Sequence, residues 1–242
     1  MMTILDVRSV SKRFGGLQAL SDVTFAVPKG QIVGLIGPNG AGKTTFFSTL
    51  CGLIKPDNGA ITLDGTSIAG QKPHKVAGLG MTKTFQNVAL FAESSVLDNV
   101  LTAGLLRHDV ETARERALVC LDRVGLKSVA YKMAGNLSFP ERARVELARA
   151  LCTDPKVLLL DEVMAALNPV EMQEIMDLIR QLRDDGITLL VVEHHMRAIM
   201  AICDRILVLN FGRLLADGTP REVANDPVVV EAYLGRSAEG HA

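Results

Sequence analysis

The chain has 242 residues, 48% hydrophobic and 22% charged, which is too apolar for disorder and long enough to bury a sizeable core. Its 26 Lys and Arg against 27 Asp and Glu leave a net charge of -1, so no nucleic-acid partner is expected. Mean hydropathy is high at +0.24, yet the apolar runs at 157–160 and 206–209 are strand-length, far below the ~20 residues of a membrane span.

The opening MMTILDV runs directly into charged residues, so no signal peptide is expected. Strand patterns follow at 4–10, 23–27 and 31–36, and the pattern turns helical after Gly42. A strand at 60–63 ends in an Asp64-Gly65 turn. Residues 88–155 read as mostly helical, with Ala117, Leu118, Leu121 and Val124 at helical spacing before Gly125. A strand at 156–160 comes next. Asn168, Pro169 and Glu171 then supply an N-cap, a first-turn proline and a capping-box acid. Met172, Ile175, Met176, Ile179 and Leu182 form the apolar face of that helix, which Gly186 ends. Strands at 187–192 and 205–209 complete the alternation, with no internal repeat. This order predicts an α/β fold with a mainly parallel sheet, helices on both faces and a helical insertion. Cys51, Cys120, Cys152 and Cys203 are widely spaced among apolar residues and are expected to be buried free thiols.

The segment Gly37-Pro38-Asn39-Gly40-Ala41-Gly42-Lys43-Thr44-Thr45 carries a phosphate-loop pattern. Phosphate oxygens need several donors close by, and glycines let backbone N–H groups approach without a Cβ in the way. The helix that follows points its N-terminus at the anion. Lys43 is expected to reach the terminal phosphates of a nucleoside triphosphate, and the Thr44 hydroxyl to ligate Mg²⁺. A catalytic partner for this loop is the apolar run ending in Asp161-Glu162. A parallel strand beside the phosphate-loop strand would put Asp161 on the Mg²⁺ side and free Glu162 to polarise water.

With these motifs in order, the chain resembles the ABC ATPase family over essentially its whole length. The resemblance implies one domain, 1–242. A P-loop core at 1–87 and 156–242 would hold a RecA-like sheet and an N-terminal antiparallel β subdomain, and 88–155 would be a helical subdomain with the signature motif. It implies that Phe14 stacks on the adenine of ATP, although a core phenylalanine would also suit that position. Gln86 would touch Mg²⁺ and water and face a membrane subunit. Ala165-Ala166-Leu167-Asn168 looks like the loop that crosses a dimer interface, and His194 like the histidine that holds the γ-phosphate. Adjacent His194 and His195 do not face one way on a helix start, so no metal pair is expected. His74, His108 and His241 read as surface residues.

The subtype resembled is the ATPase subunit of branched-chain amino-acid importers, through Lys12-Arg13-Phe14-Gly15-Gly16-Leu17, Leu160-Asp161-Glu162-Val163-Met164-Ala165, Val192-Glu193-His194 and Glu231-Ala232-Tyr233-Leu234-Gly235. Importers of urea and short amides share these features. Implied partners are a second ABC ATPase, identical or paralogous, integral membrane permeases and, indirectly, an extracytoplasmic solute-binding protein. The place of action would be the cytoplasmic face of the membrane. A soluble, non-transport ABC ATPase for DNA repair or chromosome work is disfavoured because neither the cysteines nor the length supplies a zinc module or long coiled-coil insertion, and a GTPase because no N-K-x-D segment occurs.

One segment departs from the family. Where Leu-Ser-Gly-Gly-Gln is usual, this chain has Leu137-Ser138-Phe139-Pro140-Glu141. In the family this motif offers a serine and glycine amides to the partner's ATP. Pro140 has no N–H to give, and Glu141 brings negative charge toward phosphate. Ser138-x-x-Glu141 also reads as a capping box, so both a weakened signature and a working variant are open.

Overall fold

The computed structural model describes residues 2–85, 89–165 and 167–234. Its elements in chain order are β1 (Thr3–Phe14), β2 (Leu17–Pro28), β3 (Ile32–Ile36), α1 (Lys43–Leu50), β4 (Asn58–Leu63), β5 (Thr66–Ser67), α2 (Pro73–Leu79) and β6 (Met81–Lys83). Then come α3 (Val96–Gly104), α4 (Val110–Arg123), α5 (Phe139–Leu151), β7 (Val157–Asp161), α6 (Pro169–Asp184) and β8 (Thr188–Val192). The chain continues through α7 (Met196–Ile202), β9 (Arg205–Asn210), β10 (Arg213–Gly218), α8 (Pro220–Asn225) and α9 (Pro227–Leu234).

The strands form two sheets. The first, antiparallel, has the order β2-β1-β4-β5. In β1 the buried positions run Leu5, Val7, Val10, a slip from odd to even that a bulge absorbs, with Ser9 at φ 50°. The second has the order β10-β9-β3-β8-β7-β6, parallel from β9 to β6 with β10 antiparallel at one edge.

The strands β3, β7 and β8 are buried on every residue because the second sheet is covered on both faces. Alternate side chains enter different cores. Ile32, Ile36, Leu158, Leu160, Leu189 and Val191 join the core of α3–α7, whereas Val33, Leu35, Val157, Leu159, Leu190 and Val192 join that of the antiparallel sheet and α1.

Asp64 and Gly65 both take positive φ and close the β4–β5 hairpin, while Gly125 and Gly186 do so just after α4 and α6. All four cysteines are buried free thiols. Two expectations need correction. The strand carrying Asp161 does not lie beside the phosphate-loop strand, because β8 runs between them. All three are parallel, so their carboxyl ends still open on one edge. His108 is no free surface residue either: it is half-buried, with Nε2 2.8 Å from Asp154 Oδ2.

Candidate nucleotide site

The turn between β3 and α1 is shaped by glycine where nothing else fits. Gly42 sits at φ 104°, and a Cβ there would lie 2.6 Å from the Ala19 carbonyl oxygen. At Gly37 it would meet the Leu209 carbonyl at 2.2 Å. The loop is held from behind: Gly212 N–H donates to Ala41 O at 2.9 Å, and Ser21 N–H to Gly212 O at 2.8 Å. Lys43 Nζ folds back on the loop, donating to the carbonyls of Gly37 (2.7 Å) and Pro38 (3.2 Å). Burial lowers its pKa from the usual lysine range, while Glu162 and Asp161 pull it upward.

At the neighbouring strand ends, Asp161 is buried against Lys83, with Nζ 2.7 Å from Oδ2. Its N–H donates to the hydroxyl of buried Thr84 at 3.1 Å. Glu162 has φ 54°, the left-handed region that residues with a Cβ rarely enter, and its N–H donates to Val192 O at 2.9 Å. His194 Nε2 stands 2.8 Å from Glu162 Oε1, and with the carboxylate ionised the ring nitrogen donates. Glu193, just before His194 in the chain, is 3% exposed, and its Oε1 accepts the Met164 N–H at 2.7 Å. Burial raises its pKa to about 7, and Glu162 and Asp161 push the same way.

These residues converge on a cavity of about 280 Å³, walled by the loop from Asn39 to Thr45, by Glu162 and His194, and by Leu17, Gln18 and Ala19 of β2. A second cavity of about 430 Å³ joins Thr44 to Lys83, Asp161, Glu146 and Arg149. Thr44 therefore borders both the phosphate loop and the Asp161 carboxylate. Among the described residues no group of three His, Cys, Asp or Glu could hold a metal alone. One hydroxyl and one carboxylate beside a phosphate cradle is instead a donor set that fits Mg²⁺, which takes its other ligands from phosphate and water.

Phe14 lies outside that lining. It is 46% exposed, not in the core, with Lys12 Nζ 5.4 Å from its ring centroid, and pairs with Leu17 across the β1–β2 hairpin. Gln86, Ala166, Gly235 and His241 lie outside the described residues. Beside the first of these, Phe85 N–H donates to Glu146 Oε1 at 3.3 Å, and Arg149 to Ala89 O at 3.1 Å, both from α5. Ser138 is the N-cap of α5, and Pro140 sits in its first turn. Glu141 Oε2 accepts the Ser138 N–H at 2.7 Å and its hydroxyl at 2.8 Å. Those bonds lower the Glu141 pKa, and Phe139 beside them is 54% exposed.

Two residues of the site escaped sequence reasoning as chemistry. Lys83 ends a three-residue strand too short to show a period. Glu193 was read only as part of a subtype motif; the available signal was an acid directly after five fully apolar or buried strand positions.

The sequence profile described as ABC transporter matches residues 20–165. The chain belongs to the ABC transporter ATP-binding family. Being one of its ATPases, it also matches at residues 213–239 a profile for branched-chain amino acid ATP-binding cassette transporters. The high-affinity branched-chain amino acid transport ATP-binding protein BraF of Pseudomonas aeruginosa is 42% identical, covering 97% of this chain and 98% of that protein. The lipopolysaccharide export ATP-binding protein LptB of Escherichia coli is 36% identical over the same shares. An ATP-binding cassette of an ABC transporter in its ADP conformation superposes with TM-score 0.88 at 30% identity, covering 97% of this ABC ATPase and all of that chain. A dimeric cassette bound to ADP and Pi gives 0.81 at 27% identity, over 90% and 99%.

Proposed function

We propose that this chain is the ATP-hydrolysing motor of an importer for branched-chain amino acids. The observation that carries the catalytic half is His194 Nε2 at 2.8 Å from Glu162 Oε1 at the edge of the phosphate-loop cavity. Lys43 leaves the carbonyls of Gly37 and Pro38 for the terminal phosphates of ATP, while the loop amides from Gly40 to Thr45 and the α1 N-terminus hold the rest of the charge. Thr44 and Asp161, with Gln86, would hold Mg²⁺, which when bound neutralises phosphate charge. Glu162 accepts the proton of the attacking water, and His194 stabilises charge on the γ-phosphoryl oxygens. Phe14 reaches the adenine from the β1–β2 hairpin.

The solute assignment is supported by the match at 213–239 and the 42% identity to the branched-chain amino acid protein. We take 88–155 as the helical subdomain that receives the permeases, and 1–87 with 156–242 as the catalytic core. No helix among the described residues is long and apolar enough to cross a membrane. Attachment to the cytoplasmic face therefore runs through those permeases, and an extracytoplasmic binding protein delivers the solute. The second ATPase is best a paralogue with an intact signature, since this chain offers Glu141 where the partner's phosphate would lie. Co-purification with permease subunits, followed by ATPase stimulation with leucine, isoleucine and valine against urea and short amides, tests the reading. Stimulation by an amide alone would reassign the solute.

A further inference from the structure

The turn after β7 is fastened to the end of β8 at two backbone points. Glu162 N–H donates to Val192 O at 2.9 Å, and two residues on, Met164 N–H donates to Glu193 Oε1 at 2.7 Å. Between these points the chain holds Glu162 at φ 54°, a conformation that costs on the order of 1 kcal/mol for a residue with a Cβ. Such a backbone persists only where its surroundings over-determine it. Glu193 is 3% exposed and Met164 fully buried, so losing the bond would leave a buried N–H unsatisfied. Glu193 is also the residue before His194, so one side chain ties the turn carrying the proposed base to the strand end carrying its histidine.

We propose that Glu193 is a positioning residue for ATP hydrolysis. Its carboxylate pins Met164 N–H, holds Glu162 in its left-handed backbone conformation, and so sets the distance between Glu162 and His194. It lines neither cavity of the site. This rests on the reading of Glu162 as the base, and the test keeps the two apart. E162Q, E193L and E193Q are compared with the parent in the assembled transporter, measuring kcat for ATP and equilibrium affinity for Mg-ATP. Leucine at 193 keeps the volume but has no acceptor for Met164 N–H, whereas glutamine keeps a carbonyl oxygen at the same reach.

The expected result is that E193L falls to the turnover of E162Q, about 100-fold down, with Mg-ATP affinity held within about threefold, and that E193Q stays within about threefold of the parent. Parent-level turnover in E193L, a joint loss of affinity and turnover there, or E193Q as slow as E162Q would each overturn the assignment. If E193L does not fold, E193M, equally without an oxygen acceptor for Met164 N–H, is read against E193Q by the same limits. Full turnover in E162Q would instead remove the base reading, whatever the Glu193 variants do.

Discussion

Glu141 Oε2 takes both hydrogen bonds that Ser138 can offer, its N–H at 2.7 Å and its hydroxyl at 2.8 Å. The signature serine is thus engaged by a carboxylate of its own helix, and Lys132, at 3.9 Å, only partly offsets the charge. Glu141→Gln keeps a capping side chain while removing that charge. It is expected to leave Tm within about 2 °C and to raise turnover at the composite site facing α5 by about fivefold, the worth of ~1 kcal/mol. Scanning calorimetry and phosphate release measure the two. A lower Tm with unchanged turnover would mean that Glu141 matters only as a cap.

Glu162→Gln is expected to bind Mg-ATP as the parent does and to lose about 10²–10³ in kcat, the usual weight of a general base. Equilibrium binding and single-turnover hydrolysis separate the two quantities, and the nucleotide-bound dimer should accumulate in gel filtration. Unchanged turnover would sink the assigned role.

Lys83→Met leaves Asp161 buried without its counterion. Removing one member of such a pair costs about 3 kcal/mol. The deficit should narrow when Mg-ATP is present, because the metal supplies positive charge at the same carboxylate. Chemical denaturation with and without Mg-ATP checks this, and a deficit indifferent to Mg-ATP would argue that Asp161 does not meet the metal.

Glu193 provides a pH signature. Burial raises its pKa from 4.5 to about 7, so the folded chain retains a proton that the unfolded chain releases in this interval. Stability attributable to this group is then fully present below pH 4.5 and lost as pH rises toward 7, by on the order of 2–3 kcal/mol. Carboxylates with lowered pKa, such as Glu141 and Glu222, act in the opposite sense at lower pH. The difference between parent and Glu193→Gln isolates the effect, and parallel stability curves across pH 4.5–7 would contradict it.

Gly42→Ala adds a Cβ 2.6 Å from a backbone carbonyl at φ 104°. Since neither atom is the end of a flexible chain, the loop must move, and Mg-ATP affinity is expected to fall about 100-fold, the order that a misplacement of about 1 Å costs. Calorimetric titration reads it directly, and retained affinity would mean that the loop can relax.

Much of this site could be read from the chain because its chemistry is local. Gly37 to Thr45 form their cradle within one turn, and Asp161-Glu162 end one strand. The capping boxes at Asn168-Glu171 and Ser138-Glu141 likewise close over three residues. What could not be read was set by strand order. Nothing in the sequence places β8 between β3 and β7, or brings Lys83 to Asp161 across 78 positions, 161 minus 83. β6 and β10 escaped for a related reason: the first has three residues, and the second is an edge strand without full burial. His108 looked exposed because its partner Asp154 lies on another segment.

The place of β3 bears on how the protein is made. Both of its neighbours, β8 and β9, come from the last third of the chain, and Gly212 is what backs Ala41. As the polypeptide leaves the ribosome, the phosphate loop emerges early, with β2 already made but without β8, β9 or Gly212. A nascent chain stopped before Gly212 would carry every loop residue but lack the N–H that holds Ala41 O. The backing of the loop is thus completed only when translation has run nearly to its end.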